Sequence, residues 1–529
     1  MPNSDTRRAW EYHDATKHSP ESVRRDFHQL DWGNQPRPYK VYVGLDALPL
    51  PGEFLTSNVS ALSAIATVEV ERGESRVPNR ATLTTILQHS AGITKHLRYP
   101  GGLMAFRAAA CTGALYHIEL YVVCGDLADL PAGVYHFGVP DLALRQLRAG
   151  DFRGAMIEAS GGESTIADAP VTIVCTSTYW RNSWKYQARA YRHCFWDNGT
   201  ILANVLAMAA AHRLPTQVVA GFADEQINRL IGVDGEREAA MTLVSLGYAP
   251  DHRPKTSPPV TPISPETDPL SPSEVDYPAI RKMHADSSLR DADEATGWRA
   301  SGSPAPQVGS NAEPAVEGPQ DSVDGPDAPV PLRRMSAEAL PADAIEQVIR
   351  RRGSSRRFEP AAIGFDALSA ILDHAAHGIP ADFLSAPGAA LTDPYLIVNA
   401  VDGLDSGAYF YQRDRGTLQQ LRAGNFRDAA GYLALTQSLA GEAAVNVYFL
   451  AALEPILARF GNRGYRAAQL DASITAGRLY LASYALGLGA TGLTFFDDDV
   501  TRFFSPHAEG KSVMFLIALG VRAQGQSGL

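Results

Sequence analysis

Residues 130–153 read LPAGVYHFGVPDLALRQLRAGDFR, and residues 404–427 read LDSGAYFYQRDRGTLQQLRAGNFR. Gly133 stands against Gly407, Tyr135 against Tyr409 and Gly150 against Gly424, all at an offset of 274. The same offset carries Tyr191-Arg192 onto Tyr465-Arg466 and Asp197 onto Asp471. It falls to 273 at Asp224/Asp497, Arg229/Arg502 and Gly247/Gly520. One offset held over about a hundred residues means a duplicated domain, because solenoid repeats are much shorter.

Each copy follows one plan. A helix (ATLTTILQHSAGI; GFDALSAILDHAAHG) precedes a hairpin and short amphipathic helices. A strand (APVTIVCTST; AAVNVYFLAA), a long apolar helix and a closing strand (MTLVSLGYA; SVMFLIALGVR) complete it. Strands and helices mix without a βαβ rhythm, which predicts an α+β fold. Two copies in one chain predict a fused homodimer, an intramolecular pseudo-dimer about a pseudo-twofold axis.

A chain of 529 residues exceeds one compact core. Between the copies, TSPPVTPISPETDPLSPS and SGSPAPQVGSNAEPAVEGPQDSVDGPDAPVP are too poor in apolar residues to offset chain entropy. We therefore divide the chain into an N-terminal extension (1–55), a first domain (56–250), a Pro/Ser/Gly-rich linker (251–340) and a second domain (341–529). Within the linker, VDYPAIRKMHADSSL predicts a short helix lying against a domain. The net charge of −11 argues against a nucleic-acid partner. MPNSDTRRAWEYHDATKH lacks the apolar core of a secretory signal, and no apolar run reaches the roughly 18 residues of a span, so a cytoplasmic protein without a membrane partner is expected. Cys111, Cys124, Cys175 and Cys194 show no CxxC spacing, and His89, His96 and His117 lack ligand spacing; no metal site is expected.

Four stretches, in order, carry a family resemblance: RAAACTGALYHIELYVV at 107–123, WKYQARAYR at 184–192, RGSSRRF at 352–358 and LGLGATGLTFFDD at 486–498, followed by VMFLIALGVR. Together they resemble the nitroreductase superfamily and, within it, the SagB/ThcOx-type dehydrogenases. EYHDATKH and LDWGNQPRPYK are similar to an N-terminal extension of its tandem members. The resemblance implies two FMN-dependent nitroreductase-like domains with flavin bound at their interface. It implies oxidation of thiazoline or oxazoline rings in a peptide, with a Lys-Tyr pair removing a proton while the flavin takes hydride. His117 replaces the family's usual proline, Cys111 its serine and Ala110 its first proline.

The two copies depart from the family in complementary ways. A flavin phosphate needs Arg forks and hydroxyl or backbone donors. Copy two offers Arg352, Ser354 and Arg356, with Arg522 after its last strand. With Leu368 aligned on Leu83, an offset of 285, copy one has Thr67, Glu69 and Glu71 there, and glutamates repel phosphate. At the chemical end, Lys185 and Tyr186 of copy one map to Arg459 and Phe460. Arginine stays protonated and is a poor base; phenylalanine has no proton to exchange. Thr112-Gly113 maps onto Ala386-Pro387, in a stretch that has left the motif. Tyr191 and Arg192 recur in both copies and read as structural.

One composite site is therefore expected. Copy two supplies Arg352, Ser354, Arg356, Arg522 and the wall Gly492-Leu493-Thr494. Copy one supplies Cys111, Thr112, Gly113 and the catalytic pair Lys185 and Tyr186. One FMN per chain follows. The expected activity is an FMN-dependent oxidoreductase of SagB/azoline-dehydrogenase type acting on a peptide or peptide-derived small molecule, with biosynthetic enzymes as partners. The alternatives are an NAD(P)H-dependent nitro or quinone reductase and a non-catalytic scaffold in a biosynthetic complex. A pseudo-dimer of this kind is compatible with a monomer or with further dimerisation.

Overall fold

The structure, a computed structural model, describes residues 2–99, 102–254, 256–301, 328–386 and 388–523. The first repeat builds a seven-stranded antiparallel sheet from β1 (Ala47–Pro49), β2 (Ile118–Cys124), β3 (Gly133–Gly138), β4 (Ala143–Ala149), β5 (Val171–Thr178), β6 (Thr216–Val219) and β7 (Glu238–Leu246). Their spatial order is β1-β4-β3-β2-β5-β7-β6. The second repeat builds an eight-stranded sheet from β8 (Val330–Pro331), β9 (Phe358–Glu359), β10 (Asp393–Val398), β11 (Gly407–Gln412), β12 (Thr417–Ala423), β13 (Val445–Ala451), β14 (Gly489–Leu493) and β15 (Ser512–Arg522). Its order is β8-β12-β11-β10-β13-β15-β9, with β14 also on β15. The repeat is visible in the register itself. Cys124 faces Gly133 as Val398 faces Gly407, and both hairpins shift register at the same point, Val134/Tyr135 and Ala408/Tyr409. The expected α+β architecture with two tandem domains, each carrying its own antiparallel sheet, is what the chain adopts.

The helices that position the site are α1 (Arg7–Ala15), α2 (Tyr179–Tyr186), α3 (Ala190–Ala211), α4 (Pro278–Asp286), α5 (Ala292–Ala300), α6 (Leu453–Phe460) and α7 (Arg463–Ala485). α3 and α7 are buried along nearly their whole length, charged side chains such as Arg192, Asp197, Arg466 and Asp471 included. They cross where side chains are smallest. A Cβ on Gly199 would lie 1.9 Å from Ser473 Oγ, and one on Gly477 would lie 2.6 Å from the Cβ of Ala203. Residues 199 and 473 are counterparts in the repeat, as are 203 and 477. A residue meets its own counterpart only at a twofold axis, so this crossing locates the pseudo-twofold.

The recurrent Arg and Asp residues close the interface reciprocally. Asp497 accepts from Arg189 at 3.0 Å and Arg192 at 2.6 Å, both from copy one. Asp224 accepts from Arg463 at 2.6 Å and Arg466 at 2.8 Å, both from copy two. All six side chains are buried. Burial alone would raise the carboxyl pKa values, but the paired guanidiniums outweigh it and hold both carboxyls below the usual range.

The repeat extends further upstream than the sheets do. Arg192 donates to the His13 carbonyl at 2.7 Å and to Thr16 Oγ1 at 3.1 Å at the end of α1. Arg466 donates to the His284 carbonyl at 2.6 Å and to Ser287 Oγ at 2.8 Å at the end of α4. α1 and α4 are thus counterparts. The helix expected in VDYPAIRKMHADSSL forms, and with α5 it makes a packed part of the stretch read as linker. Residues 302–327 of that stretch lie outside the described residues.

Strand pairing also corrects the alignment of the arginine motif. Glu359 pairs with Val521, and Arg76 bridges Tyr248 in the same way, which sets the local offset at 283 rather than 285. Arg352 then stands over Glu69, Ser354 over Glu71 and Arg356 over Gly73, and Thr67 drops out. The contrast in charge survives the correction. No helix among the described residues is long and apolar enough to cross a membrane.

Candidate active site

A small, open cleft lies between the copies. Copy one contributes Ala110, Cys111, Ala114 and Tyr116; copy two contributes Arg352, Gly353, Ser354 and Arg356. Of the predicted site residues, Cys111 from copy one and Arg352, Ser354 and Arg356 from copy two line this space; Thr112, Gly113, Lys185, Tyr186, Gly492, Leu493 and Thr494 do not. Arg352 fastens the two copies together, donating from Nε to the Ala108 carbonyl at 2.9 Å and from Nη2 to the Arg107 carbonyl at 3.0 Å. Ser354 Oγ lies 3.3 Å from the Tyr480 hydroxyl, which in turn accepts from the Gly492 amide. Tyr480 thus links the arginine motif to the exposed Gly492 and the half-buried Leu493. It was not singled out in the sequence, because an aromatic inside a buried helix reads as core. Arg522 does not line this cleft. It pairs opposite Phe358, stacks over the Tyr484 ring at 5.3 Å and closes on Gly489 behind the motif.

The wall from copy one is fixed by Asp197 of α3. Its Oδ1 accepts from the Thr112 amide at 2.9 Å and the Thr112 hydroxyl at 2.7 Å. Its Oδ2 accepts from the Cys111 thiol at 3.1 Å and lies 2.8 Å from His117 Nε2. Burial and the Asp197 carboxylate both push the Cys111 thiol up, so it stays a protonated donor. Cys111, His117 and Asp197 place their ligand atoms within 4.8 Å of one another. Both carboxylate oxygens are already occupied by these partners, which makes a closed hydrogen-bonded network rather than an open ligand set. Sequence spacing among histidines missed this network because the partner of His117 lies 80 positions away on another element.

Tyr186 ends α2 with its hydroxyl against the Gly113 backbone: a Cβ at 113 would stand 2.8 Å from it, and Gly113 has φ +65°. Glycine is required there on both counts. The Tyr186 ring stacks edge-on to His193 at 4.7 Å, and His193 is held by Asn182 at 2.7 Å. Burial, reinforced by Asp197 and Cys111, raises the Tyr186 hydroxyl far above its ordinary value, so at neutral pH it is a proton donor. The exposed Lys185 beside it is lowered by desolvation and by the Arg356 cation across the interface. The pair is therefore polarised: Lys185 is the more readily deprotonated, Tyr186 the more firmly protonated.

The buried hydroxyls of Ser355 and Thr494 have no hydrogen-bond partner among the described residues. Ser355 Oγ lies on the Gly489 side of the motif, where a Cβ at 489 would stand 2.3 Å from it, and neither hydroxyl lines the cleft. Arg352, Ser354 and Arg356, which do line it, are a donor set suited to a phosphate monoester.

The pseudosymmetric position is built differently. Asp471 accepts from the Leu391 and Thr392 amides and from the Thr392 hydroxyl, with neither cysteine nor histidine beside it. Phe460 occupies the place of Tyr186 on α6, and Trp298 of α5 covers it at 5.1 Å, donating to the Phe460 carbonyl at 2.9 Å. Arg459 donates to the Ser301 carbonyl. Glu69 and Glu71 are exposed. Pro387, expected opposite Gly113, lies outside the described residues.

Comparison with known proteins agrees with the duplication. The sequence profile of the nitroreductase family matches residues 76–248 and again 349–521. A nitroreductase-type crystal structure from Anabaena variabilis is 25% identical with a TM-score of 0.75, over 98% of this chain and 99% of that one. A nitroreductase-type protein of Methanocaldococcus jannaschii is 27% identical over 142 residues, covering 27% of this chain and 70% of the relative. A nitroreductase-type protein from Desulfovibrio desulfuricans, crystallised in complex with FMN, is 17% identical with a TM-score of 0.25, over 35% of this chain and 90% of that one.

Proposed function

The chain belongs to the nitroreductase family, and on that premise we propose that it is an FMN-dependent oxidoreductase with one composite site, of azoline-dehydrogenase type, acting on a peptide or a peptide-derived molecule. The observation that supports the reading is the division of labour at one cleft, with Arg352, Ser354 and Arg356 from copy two facing Cys111 from copy one, and the Lys185-Tyr186 pair close enough to feel the Arg356 charge. Arg352, Ser354 and Arg356 would hold the flavin phosphate. Gly492, Leu493 and Thr494 would wall the ring from copy two, and Cys111, Thr112 and Gly113 from copy one. Arg522 would act indirectly, by bracing Gly489 and the motif.

When bound, FMN supplies a two-electron hydride acceptor. Lys185 takes the proton released when a substrate C–H is oxidised, its lowered pKa bringing it closer to the operating pH. Tyr186 keeps its proton and donates to the substrate heteroatom, steadying it beside Lys185. Asp197 and His117 hold the Cys111–Gly113 turn so that the Tyr186 hydroxyl stays seated against Gly113.

The decisive measurement is flavin released per chain from the purified protein, read from its visible spectrum. One FMN is expected; two, or none after reconstitution with excess FMN, overturns the composite site. Rapid bleaching by NADPH, with turnover of a quinone and none of an azoline peptide, would replace the dehydrogenase reading by the reductase one.

A further inference from the structure

The connection that leads into the site differs sharply between the copies. In copy one it runs from Gly92 to His117; in copy two it runs from Ala376 to Thr392, nine residues shorter. Copy one spends the extra length on a two-stranded antiparallel hairpin, Ile93–Tyr99 against Gly102–Arg107, which joins neither main sheet. No such hairpin forms in copy two among the described residues. The base of the hairpin lines the composite cleft through Thr94, Lys95, Phe106 and Arg107. Away from the base, Leu103 is 66% exposed and Met104 47%. In a chain of net charge −11, residues 93–107 hold Lys95, Arg98 and Arg107 and neither Asp nor Glu.

We propose that this hairpin is a docking arm that captures an acidic peptide segment in extended form and feeds it to the composite cleft. The inference rests on reading that cleft as the place of chemistry, and it adds the substrate class. A hairpin standing apart from a sheet presents main-chain donors and acceptors along its edges, the basis of strand addition. Edge strands commonly carry lysine to turn other strands away; here Lys95 and Arg98 select an acidic strand over a basic one. Strand alternation puts Arg98 and Leu103 on one face of the hairpin and Lys95 and Met104 on the other, so each face offers an added strand one cation and one apolar side chain. A dinucleotide would use the charges but neither the strand edges nor the apolar pair. Among the described residues the arm occurs only on the copy that retains Lys185 and Tyr186, as a substrate device would.

The test uses the full-length, flavin-loaded protein and two short fluorescein-labelled peptides, one alternating glutamate and leucine, the other lysine and leucine. Fluorescence anisotropy should show the acidic peptide binding at least about tenfold more tightly, a gap that narrows with salt. The double variant Lys95→Ala/Arg98→Ala should remove that preference; Arg98→Ala alone, outside the cleft lining, should reduce it, and Leu103→Asp should weaken the acidic peptide, both of these single variants with unchanged flavin absorbance. Equal binding of the two peptides, or a preference that survives the double variant, overturns the proposal. So does a double variant that raises KM for NADPH while leaving peptide binding intact. A colourless protein that still prefers the acidic peptide through Lys95 and Arg98 would instead sink the flavin reading and leave the arm standing.

Discussion

Asp224 and Asp497 sit at one point of the repeat and do the same thing, each buried under two arginines of the opposite copy. Tyr186 and Phe460 also share a point of the repeat, yet one faces the cleft wall at Gly113 and the other lies under Trp298. The difference separates two kinds of constraint. An ion pair that crosses the interface is needed twice, because losing either leaves charge buried without a partner. On the proposed reading a composite reaction centre is needed once, and its pseudosymmetric twin is free to fill with apolar packing.

The sharpest way to break this comparison is substitution at the chemical end. Lys185→Ala should lower turnover by roughly 10²–10⁴-fold, the usual contribution of a positioned base, with flavin absorbance retained. Arg459→Ala, its counterpart, should leave turnover unchanged; comparable losses in both variants would mean two working sites. Next in size is the interface. Asp497→Asn and Asp224→Asn should each cost about 3–5 kcal/mol, because two buried guanidiniums lose their counter-charge. Thermal unfolding of the two variants should show similar losses, and clearly unequal ones would deny the reciprocity. Both carboxyls titrate lower in the folded chain than in the unfolded one. Their stabilisation is thus complete above the unfolded value of about 4 and is lost as pH falls through the folded values.

A smaller effect is expected at the phosphate end. Arg356→Ala should weaken FMN by about 1.5–3 kcal/mol, roughly ten- to a hundredfold in Kd, whereas Glu69→Ala should not alter it by fluorescence titration. The smallest effect is on the pH profile of kcat. Lys185 must be deprotonated to accept, so the rate should rise with pH through a value below that of ordinary lysine. Because the Arg356 cation helps to lower it, the Arg356→Ala profile should move toward higher pH; no movement would separate the two groups.

Much of this was legible in one sequence because duplication supplies its own alignment. The 274 offset identified the paired domains, and the contrast of Arg356 with Glu71 and of Lys185 with Arg459 pointed to a composite site. What was missed depends on tertiary contact. The Cys111–Asp197–His117 network joins elements far apart in the chain, and Asp197 had registered only as a recurrent position. The offset of 285 at the arginine motif was set by a helix alignment, and strand pairing moved it to 283. α1 and α4 escaped notice as counterparts because they share few residue types beyond the histidines at 13 and 284. Their likeness is in backbone carbonyls offered to Arg192 and Arg466, which leave no mark on side-chain sequence. The hairpin at 93–107 carried a signal, the Pro-Gly-Gly at 100–102 between two runs of β-forming residues, that went unread.

The helix crossing at Gly199 and Ser473 has a further consequence. In an assembly of identical subunits, whatever lies on the axis must tolerate its own mirror role, and a lock cannot be paired with a different key. Here glycine faces serine at one step and alanine faces glycine at the next, with the smaller partner on alternate sides. Two second halves would bring serine onto serine where not even a methyl group fits. Two first halves would leave a hollow in place of a serine. Fusion has let the axis become handed, so that each half now specifies the other, and not itself, as its mate.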